Sequence, residues 1–277
     1  MNQGVDHHSA DRNISVARTT ASAARRKFID TVQGLSVGDV LIPLREGAMP
    51  AYVAEKKGAG KLPAVIVLPE IWGLHEHIRE VTRRFANAGY YAIAPEPYHR
   101  QGDLTKITDV KTVLSKANEL QDEDMFSDLD ALLAWIHVQR KIDTNRLGLT
   151  GFSRGARAVW MYAAHTNKFK AAVAWYGGLA PTPYWPGQHR TPIDVIDRLD
   201  TPVLGLYGSA DANIPLEQIE RMRAALNVAG KNHRSMIHVY AGASHGFNAD
   251  YRSSYHKKAA KDGWHRMLLW FRVNGVG

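Results

Sequence analysis

Residues 146–165 read RLGLTGFSRGARAVWMYAAH. The short apolar segment Arg146–Thr150 predicts a strand, and the residues after Gly155 predict a helix. Between them, the pattern Gly151-x-Ser153-x-Gly155 predicts a sharp turn that exposes the Ser153 hydroxyl above a sheet. Glycines suit this turn because the backbones of the strand and the helix crowd each other there. The stretch therefore predicts an α/β protein with a serine nucleophile.

The rest of the chain alternates between predicted strands and predicted helices. The predicted strands are Gly38–Leu44, Pro50–Glu55, Leu62–Leu68, Tyr90–Ala94, Lys170–Tyr176, Thr201–Tyr207 and Ser235–Tyr240. The predicted helices are His75–Ala88, two segments of Ile107–Val138 on either side of the acidic stretch Gln121–Asp124, Pro215–Ala229 and Ser254–Val273. The first two strands are expected to pair antiparallel. The alternation that follows predicts a mostly parallel sheet with helices on both faces.

The chain has 277 residues, which is long enough for one α/β domain with a buried core. We assign this domain to residues 34–277. We expect the polar residues 1–33 to form a disordered tail or a short helix. Residues 177–199 are rich in proline, glycine and aromatic residues, and a loop of this length predicts a functional segment or a lid.

The composition excludes several kinds of site. The chain has no cysteine, so it has no disulfide, no thiolate metal site and no cysteine nucleophile. Lys and Arg exceed Asp and Glu by 35 to 27, a net charge of +8, but the basic residues are spread along the chain without interleaved aromatics. Nucleic-acid binding is therefore not expected. No apolar run approaches about 18 residues, so no contact with a membrane through a spanning helix is expected.

The N-terminal segment bears on location. The run Arg25-Arg26-Lys27-Phe28-Ile29 weakly resembles a twin-arginine export signal. However, Asp30 and further polar residues follow where such a signal needs an apolar segment. We therefore expect a cytoplasmic protein, with export as the alternative.

Three polar residues follow three of the predicted strands. Ser153 comes after the strand that ends at Thr150, Asp211 lies in Gly208-Ser209-Ala210-Asp211 and His245 lies in Gly242-Ala243-Ser244-His245-Gly246-Phe247. Reactive groups collect at the carboxyl ends of parallel strands, and the order Ser, Asp, His is that of α/β-hydrolases. The pattern predicts a triad in which His245 takes the serine proton and Asp211 orients the imidazole.

Alternative interpretations exist for each member of this triad. Asp211 precedes a predicted helix and suits an N-cap or a turn, while Ser153 and His245 suit a turn serine and a buried structural histidine. Asp194 and Asp197 are weaker candidates for the acid. The negative oxygen of a tetrahedral intermediate requires backbone N–H donors, and the predicted donors are those of Ile71 and Arg154.

Seven short blocks of the sequence resemble the dienelactone hydrolase family over about residues 34–277. The blocks are Pro69-Glu70-Ile71-Trp72-Gly73, Gly89-Tyr90-Tyr91-Ala92-Ile93-Ala94-Pro95, Tyr98-His99-Arg100-Gln101, Gly151-Phe152-Ser153, Ala174-Trp175-Tyr176-Gly177, Gly208-Ser209-Ala210-Asp211 and Ser244-His245-Gly246-Phe247. The resemblance implies an α/β-hydrolase fold and hydrolysis of a lactone or ester to a carboxylic acid. It also implies a protein that is usually monomeric and needs no cofactor.

The chain departs from this family at the nucleophile. The usual family turn is Gly-x-Cys-x-Gly-Gly, whereas Ser153 and Ala156 occupy the cysteine and second-glycine positions here. A thiol ionises near neutral pH and a hydroxyl does not. His245 is therefore expected to act as general base throughout the reaction.

The resemblance also implies residues around the substrate. Glu70 matches a glutamate near the nucleophile, and Arg100 matches an arginine that binds the substrate carboxylate. A second anion-binding arginine is replaced by Ala249, and Arg252, three residues later, is a candidate substitute. The Arg154 side chain adds a cation beside the nucleophile.

Aromatic residues are candidates for lining an apolar pocket, with core packing as the alternative; they are Trp72, Trp175, Tyr176, Tyr184 and Trp185. The tripeptide His75-Glu76-His77 suggests a metal site, but residues two apart do not share a helix face, so no metal is expected.

We therefore predict a hydrolase of carboxylic esters or lactones that acts through a Ser-His-Asp triad and an acyl-enzyme. Its expected partner is a small-molecule substrate. Two alternatives stay open. One is a catalytically silent protein that binds an aromatic acid on the same fold, and the other is an acyltransferase that uses the same triad.

Overall fold

The computed structural model describes residues 32–181 and 190–277. Most of the predicted N-terminal tail, together with Tyr184 and Trp185 of the predicted lid, lies outside the described residues. The strands are β1 (Leu35–Pro43), β2 (Ala48–Lys56), β3 (Leu62–Leu68), β4 (Tyr91–Pro95), β5 (Ile142–Phe152), β6 (Ala171–Trp175), β7 (Val203–Gly208) and β8 (Met236–Tyr240). They form one sheet in the order β1-β2-β4-β3-β5-β6-β7-β8.

The sheet is mostly parallel, as predicted. β2 pairs antiparallel with both β1 and β4, while the pairs from β4 through β3, β5, β6 and β7 to β8 are all parallel. Strands β4, β6 and β7 are buried along their whole length. Their continuous apolar sequences are typical of parallel strands that are covered on both faces.

The helices are α1 (Glu76–Asn87), α2 (Val110–Glu119), α3 (Asp122–His137), α4 (Arg154–His165), α5 (Leu216–Val228) and α6 (Lys257–Val273), with short 3-10 helices at Leu104–Lys106 and Pro192–Arg198. α1 packs on α6 through the rings of Phe85 and Trp264, whose centroids are 4.8 Å apart. α3 packs on α4 through Phe126 and Tyr162, at 5.6 Å. These two pairs cover opposite faces of the sheet, which confirms the predicted α/β-hydrolase architecture.

The boundary between α2 and α3 differs from the sequence prediction. The acidic stretch Gln121–Asp124 was expected to separate two helices, but α3 already begins at Asp122. Three acidic residues therefore occupy its first turn, where carboxylates are stabilised by the positive end of the helix dipole. Among the described residues, no helix is both long and apolar enough to cross a membrane.

Candidate active site

The turn between β5 and α4 is strained at Ser153. Its φ is 51° and its ψ is −114°, a backbone conformation that an L-residue adopts at a cost of about 1–3 kcal/mol. The flanking glycines make the turn possible. A Cβ on Gly151 would lie 2.5 Å from the carbonyl oxygen of Gly155, and a Cβ on Gly155 would lie 2.5 Å from the carbonyl oxygen of Leu68. Neither position can hold a side chain unless the backbone moves.

The strained turn directs the Ser153 hydroxyl toward a histidine. Ser153 Oγ lies 2.9 Å from His245 Nε2, although the two residues are 92 positions apart in the chain. The Ser153 N–H donates to the carbonyl oxygen of Trp175 at 2.9 Å, which fixes the turn against β6. His245 is mostly buried, with 17% of its side chain exposed.

Asp211 occupies the other side of the imidazole. His245 Nδ1 lies 2.9 Å from Asp211 Oδ2, and the Asp211 side chain is fully buried. Its second oxygen, Oδ1, accepts the backbone N–H groups of Asn213 at 2.9 Å and Ile214 at 3.1 Å. Asp211 therefore forms a turn and also faces the histidine. Because a carboxylate only accepts, the imidazole hydrogen lies on Nδ1 and Nε2 is free to accept the serine proton.

The two predicted oxyanion donors follow neighbouring parallel strands, β3 and β5. Ile71 follows β3 in the loop that leads to α1, and Arg154 is the first residue of α4. Within residues 32–181 and 190–277, neither N–H donates to a backbone carbonyl. Both are therefore available to an oxygen that carries developing negative charge, and Arg154 N–H also lies at the positive end of the α4 dipole.

A buried carboxylate, Glu70, lies in the same loop as Ile71 and has a cationic partner. Arg252 Nη2 donates to Glu70 Oε2 at 2.6 Å, and the hydroxyl of Tyr251 donates to the same oxygen at 3.0 Å. Arg252 Nε in turn donates to the Tyr251 oxygen at 3.0 Å. Since Tyr251 and Arg252 follow the His245 loop, these contacts join the loops after β3 and β8.

The charges of this cluster shift the pKa values of its members. Burial alone would raise the pKa of Glu70, but Arg252 and two nearby histidines, together with the Tyr251 hydrogen bond, hold it below its usual value. Burial lowers the pKa of His75 to about 4, although Glu70 opposes this change. Glu70 is therefore ionised and His75 neutral at pH 7.

The two other predicted cations are engaged by the protein itself. Both terminal nitrogens of Arg100 donate to the buried Asp128, at 2.6 and 2.8 Å. The Arg154 guanidinium is buried and donates to Asn118 Oδ1 at 2.8 Å and to the carbonyl oxygen of Leu120 at 3.2 Å. Arg154 thereby joins the start of α4 to the end of α2.

The predicted aromatic residues differ in position. The Tyr176 ring lies 5.3 Å from the His245 ring in an edge-on arrangement, and its φ is 43°. Burial raises the pKa of the Tyr176 hydroxyl well above its usual value, so the group stays neutral. Trp72 is half-buried and packs against the core, whereas Trp175 is fully buried between Phe152 and Phe247. Tyr176 is thus the aromatic residue nearest the triad histidine among these three.

The rings of His75 and His77 stack 6.1 Å apart, but His75 is not part of the group of possible metal ligands among the described residues. His77 instead lies near Glu80 and Asp250, with one ligand atom of each residue within 4.8 Å of the others. The Arg84 guanidinium faces the same two carboxylates. This one cation therefore offsets part of the negative charge of the two carboxylates.

A separate cleft lies away from the triad. A cleft of 790 Å³ is lined by residues at the amino ends of β5, β6 and β7, among them Asn145, Lys170 and Pro202. Ser153, Asp211 and His245 lie at the opposite, carboxyl ends of the strands. The candidate site is therefore identified by the hydrogen bonds among Ser153, His245 and Asp211, and not by this cleft.

Two polar residues of this region were missed in the sequence. Tyr251 binds Glu70, and Glu96 accepts the N–H groups of Leu74 and Tyr98. Glu96 directly follows the end of β4, so its position at the carboxyl end of a predicted strand could have identified it. Tyr251 lies in a loop without a regular pattern, and no comparable signal marks it.

Comparisons with known proteins show which family the chain resembles. The model of the dienelactone hydrolase family matches residues 49–274. Two curated relatives, from Methylorubrum extorquens and Salmonella typhimurium, both named "Putative carboxymethylenebutenolidase", are 45% and 47% identical; each alignment covers 92% of this chain, and 87% and 94% of the relative.

Solved structures are similar in fold. A Klebsiella pneumoniae protein described as "Putative Dienelactone Hydrolase" has a TM-score of 0.81 and 47% identity, covering 86% of this chain and 98% of that one. A dienelactone hydrolase-like phosphotriesterase from metagenomic libraries has a TM-score of 0.72 at 20% identity, covering 86% of this chain and 98% of that one. The second likeness concerns the fold alone.

Proposed function

Because the chain belongs to the dienelactone hydrolase family, we propose that it hydrolyses carboxylic esters or lactones through a serine acyl-enzyme. The observation that carries this proposal is one line of contacts, Ser153 Oγ to His245 Nε2 and His245 Nδ1 to Asp211 Oδ2, each 2.9 Å long. Such a line activates a hydroxyl that is otherwise a weak nucleophile at neutral pH.

In the first half of the proposed reaction, Ser153 Oγ attacks the carbonyl carbon and its proton passes to His245 Nε2. The carbonyl oxygen becomes an anion that the N–H groups of Ile71 and Arg154 stabilise. The tetrahedral intermediate collapses, the carbon–oxygen bond to the leaving group breaks, and His245 returns the proton to the departing alkoxide. Asp211 stabilises the imidazolium while it exists. The product is an ester between Ser153 and the acyl group.

In the second half, water replaces the alcohol. His245 takes a proton from the water as its oxygen attacks the acyl carbon, and the same two N–H groups receive the oxyanion. Breakdown releases the carboxylic acid and returns the proton to Ser153 Oγ. With a lactone, the alcohol and the acid are parts of one molecule, so the product is a hydroxy acid.

We assign recognition of an anionic substrate group to Arg252 rather than Arg100. Both terminal nitrogens of Arg100 are bound to Asp128. Arg252 uses Nε and Nη2 on Tyr251 and Glu70, while its Nη1 has no hydrogen bond to any described residue. A substrate carboxylate can accept from Nη1 in a charge-assisted hydrogen bond.

Trapping the acyl-enzyme tests the proposal. The protein is mixed with a p-nitrophenyl ester, quenched in acid and weighed intact by mass spectrometry. We expect a mass increase of one acyl group in the wild-type protein and in Ser127→Ala, which alters a serine of α3 outside the triad. We expect none in Ser153→Ala. Hydrolysis by Ser153→Ala at a rate comparable to wild type would contradict the proposal.

A second experiment tests the substrate class. The ratio of kcat/KM for a carboxylate-bearing ester to that for its neutral amide analogue is measured in two arginine variants. Arg252→Gln is expected to lower this ratio about tenfold, because one charge-assisted hydrogen bond is worth roughly 1.5–3 kcal/mol. Arg100→Gln is expected to leave it unchanged. The reverse result would assign anion recognition to Arg100.

A further inference from the structure

One partly buried carboxylate, that of Glu96, holds the loop that supplies a proposed oxyanion donor. Glu96 follows β4, and its Oε2 accepts the N–H of Leu74 at 2.6 Å. Its Oε1 accepts the N–H of Tyr98 at 3.0 Å. Glu96 is itself anchored, since its N–H donates to the carbonyl oxygen of Pro50 in β2 at 2.8 Å. The carboxylate therefore links the sheet to the loop of residues 69–75.

On one side of Ile71, the Glu70 carboxylate ties this loop to Tyr251 and Arg252, while the backbone bonds on the other side are local. The N–H of Gly73 donates to the carbonyl oxygen of Glu70 at 3.1 Å, and the N–H of His75 donates to that of Gly73 at 2.9 Å. Both bonds lie within the loop, so they determine its conformation but do not fix its position against the sheet. The bond from Leu74 to Glu96 spans 22 positions and ties the loop to a neighbouring strand end.

Gly73 fits against the same carboxylate. Its φ is 69°, and a Cβ at this position would lie 2.5 Å from Glu96 Oε1. The glycine thus allows the loop to approach Glu96 closely enough for the Leu74 bond. The backbone conformation at Gly73 and the position of the carboxylate depend on each other.

We propose that Glu96 is a positioning residue that sets the Ile71 N–H for the oxyanion. The inference rests on the proposed ester hydrolysis. An oxyanion-hole donor contributes most when it is already oriented, so a small displacement of the loop weakens the transition state more than it weakens substrate binding. Glu96 does not touch the reacting atoms and acts through the loop of residues 69–75.

The main test is Glu96→Gln, which keeps the shape of the side chain but replaces one accepting oxygen with an amide that donates. We expect kcat to fall about tenfold to a hundredfold with KM within roughly threefold, less than the 10²–10³ typical of deleting a donor outright. Binding of a trifluoromethyl ketone, which forms a hemiketal oxyanion on a reactive serine, is expected to weaken by the same factor as kcat/KM. A purely structural role would not produce this parallel.

The matched control is Glu55→Gln. Glu55 is a buried glutamate of β2, and it binds Lys141 instead of the loop. We expect its kcat and its ketone affinity to match those of the wild-type protein. Equal losses in the two variants would overturn the proposal, because the loss would then not depend on the bond between Glu96 and Leu74.

A second pair of variants decides the matter if Glu96→Gln does not fold. Gly73→Ala pushes a methyl group onto the carboxylate, whereas Gly89→Ala imposes similar backbone strain, at φ 99°, with no atom within 4 Å of the added carbon. We expect Gly73→Ala to lose kcat and Gly89→Ala to keep it. Equal kcat values in both variants would overturn the proposal.

The outcome also separates this inference from the proposed function. If the wild-type protein neither turns over esters nor binds the ketone, the proposed function fails. If it does both and Glu96→Gln behaves as the wild-type protein does, the positioning role of Glu96 fails alone.

Discussion

We predict that replacing Asp211 by asparagine moves the imidazole hydrogen of His245 from Nδ1 to Nε2. In the structure, Asp211 Oδ1 accepts two backbone N–H groups, from Asn213 and Ile214, while Oδ2 faces His245 Nδ1. An asparagine has one accepting oxygen and one donating nitrogen. The two backbone N–H groups need an acceptor, and only one ring nitrogen lies on the other side of the side chain. The amide oxygen is therefore expected to face the backbone and the NH₂ group to face His245.

This orientation makes Nδ1 an acceptor and places the imidazole hydrogen on Nε2. The group that faces Ser153 Oγ at 2.9 Å then donates instead of accepting, so it cannot take the serine proton. Loss of the correct tautomer in a known triad lowers kcat about 10⁴-fold, which corresponds to roughly 5.4 kcal/mol of barrier. We expect a loss of this size in Asp211→Asn.

The assay is hydrolysis of an aryl ester, with thermal unfolding as the test of folding. The matched control is Asp197→Asn. Asp197 is an exposed acid in the 3-10 helix at Pro192–Arg198, which lies before β7, whereas Asp211 follows β7. We expect Asp197→Asn to retain full activity. If Asp211→Asn stays within tenfold of wild type, or if Asp197→Asn shows the large loss, the assigned acid is wrong.

Three further variants test the packing and the electrostatics of the site. Gly155→Ala is expected to lower the free energy of unfolding in urea by about 3 kcal/mol, because its Cβ meets the backbone of Leu68. Gly38→Ala, whose Cβ meets no atom within 4 Å, should lower it by under about 1 kcal/mol. Equal losses in the two variants would refute the crowding argument. The pKa of His75 is lowered to about 4 in the folded protein, so on acidification the unfolded chain takes up this proton at a higher pH than the folded protein does. The free energy of unfolding therefore falls by on the order of 3 kcal/mol as the pH drops from 6.5 toward 4. His75→Gln should flatten this decline in unfolding measured at pH 7 and 4.5, and an unchanged slope would contradict the assignment. Arg252→Gln removes the cation that most lowers the Glu70 pKa, and we expect the free energy of unfolding to fall by about 2–3 kcal/mol. Adding Glu70→Gln should restore part of this loss in the double variant. Strictly additive effects would show that the two side chains are not coupled.

Local pattern was sufficient to predict the architecture and the candidate triad. Parallel strands are continuous apolar runs here, so their ends are visible in the sequence, and the residues that follow them meet at one edge of the sheet. This is why the sequence alone indicates Ser153, Asp211 and His245, although they are separated by up to 92 positions. Their catalytic roles stay a prediction until activity is measured.

Pairings between distant side chains could not be predicted in the same way. Arg252 binds Glu70 across 182 positions, and Arg100 binds Asp128 across 28. All arginine side chains have the same charge and length, so the sequence does not indicate which carboxylate each one binds. The packing of the folded chain determines the partner. The family pattern indicated Arg100 as an anion-binding residue, whereas the structure engages both of its terminal nitrogens with Asp128.

The start of α3 illustrates a different limit. A run of acidic residues is compatible both with a solvated linker and with the first turn of a helix, where the helix dipole favours it. Charge alone does not separate the two. The helix begins at Asp122 because the apolar positions that pack on α4, including Phe126, follow at once.

The central claim is that the Ser153 hydroxyl is activated, and labelling with a fluorophosphonate probe tests it most directly. The wild-type protein and Ser153→Ala are incubated with the probe, digested and mapped by peptide mass spectrometry. We predict one adduct per chain on the peptide that contains Ser153 and none in the variant. A folded wild-type protein that takes up no probe, or takes it up at another serine, would contradict the account.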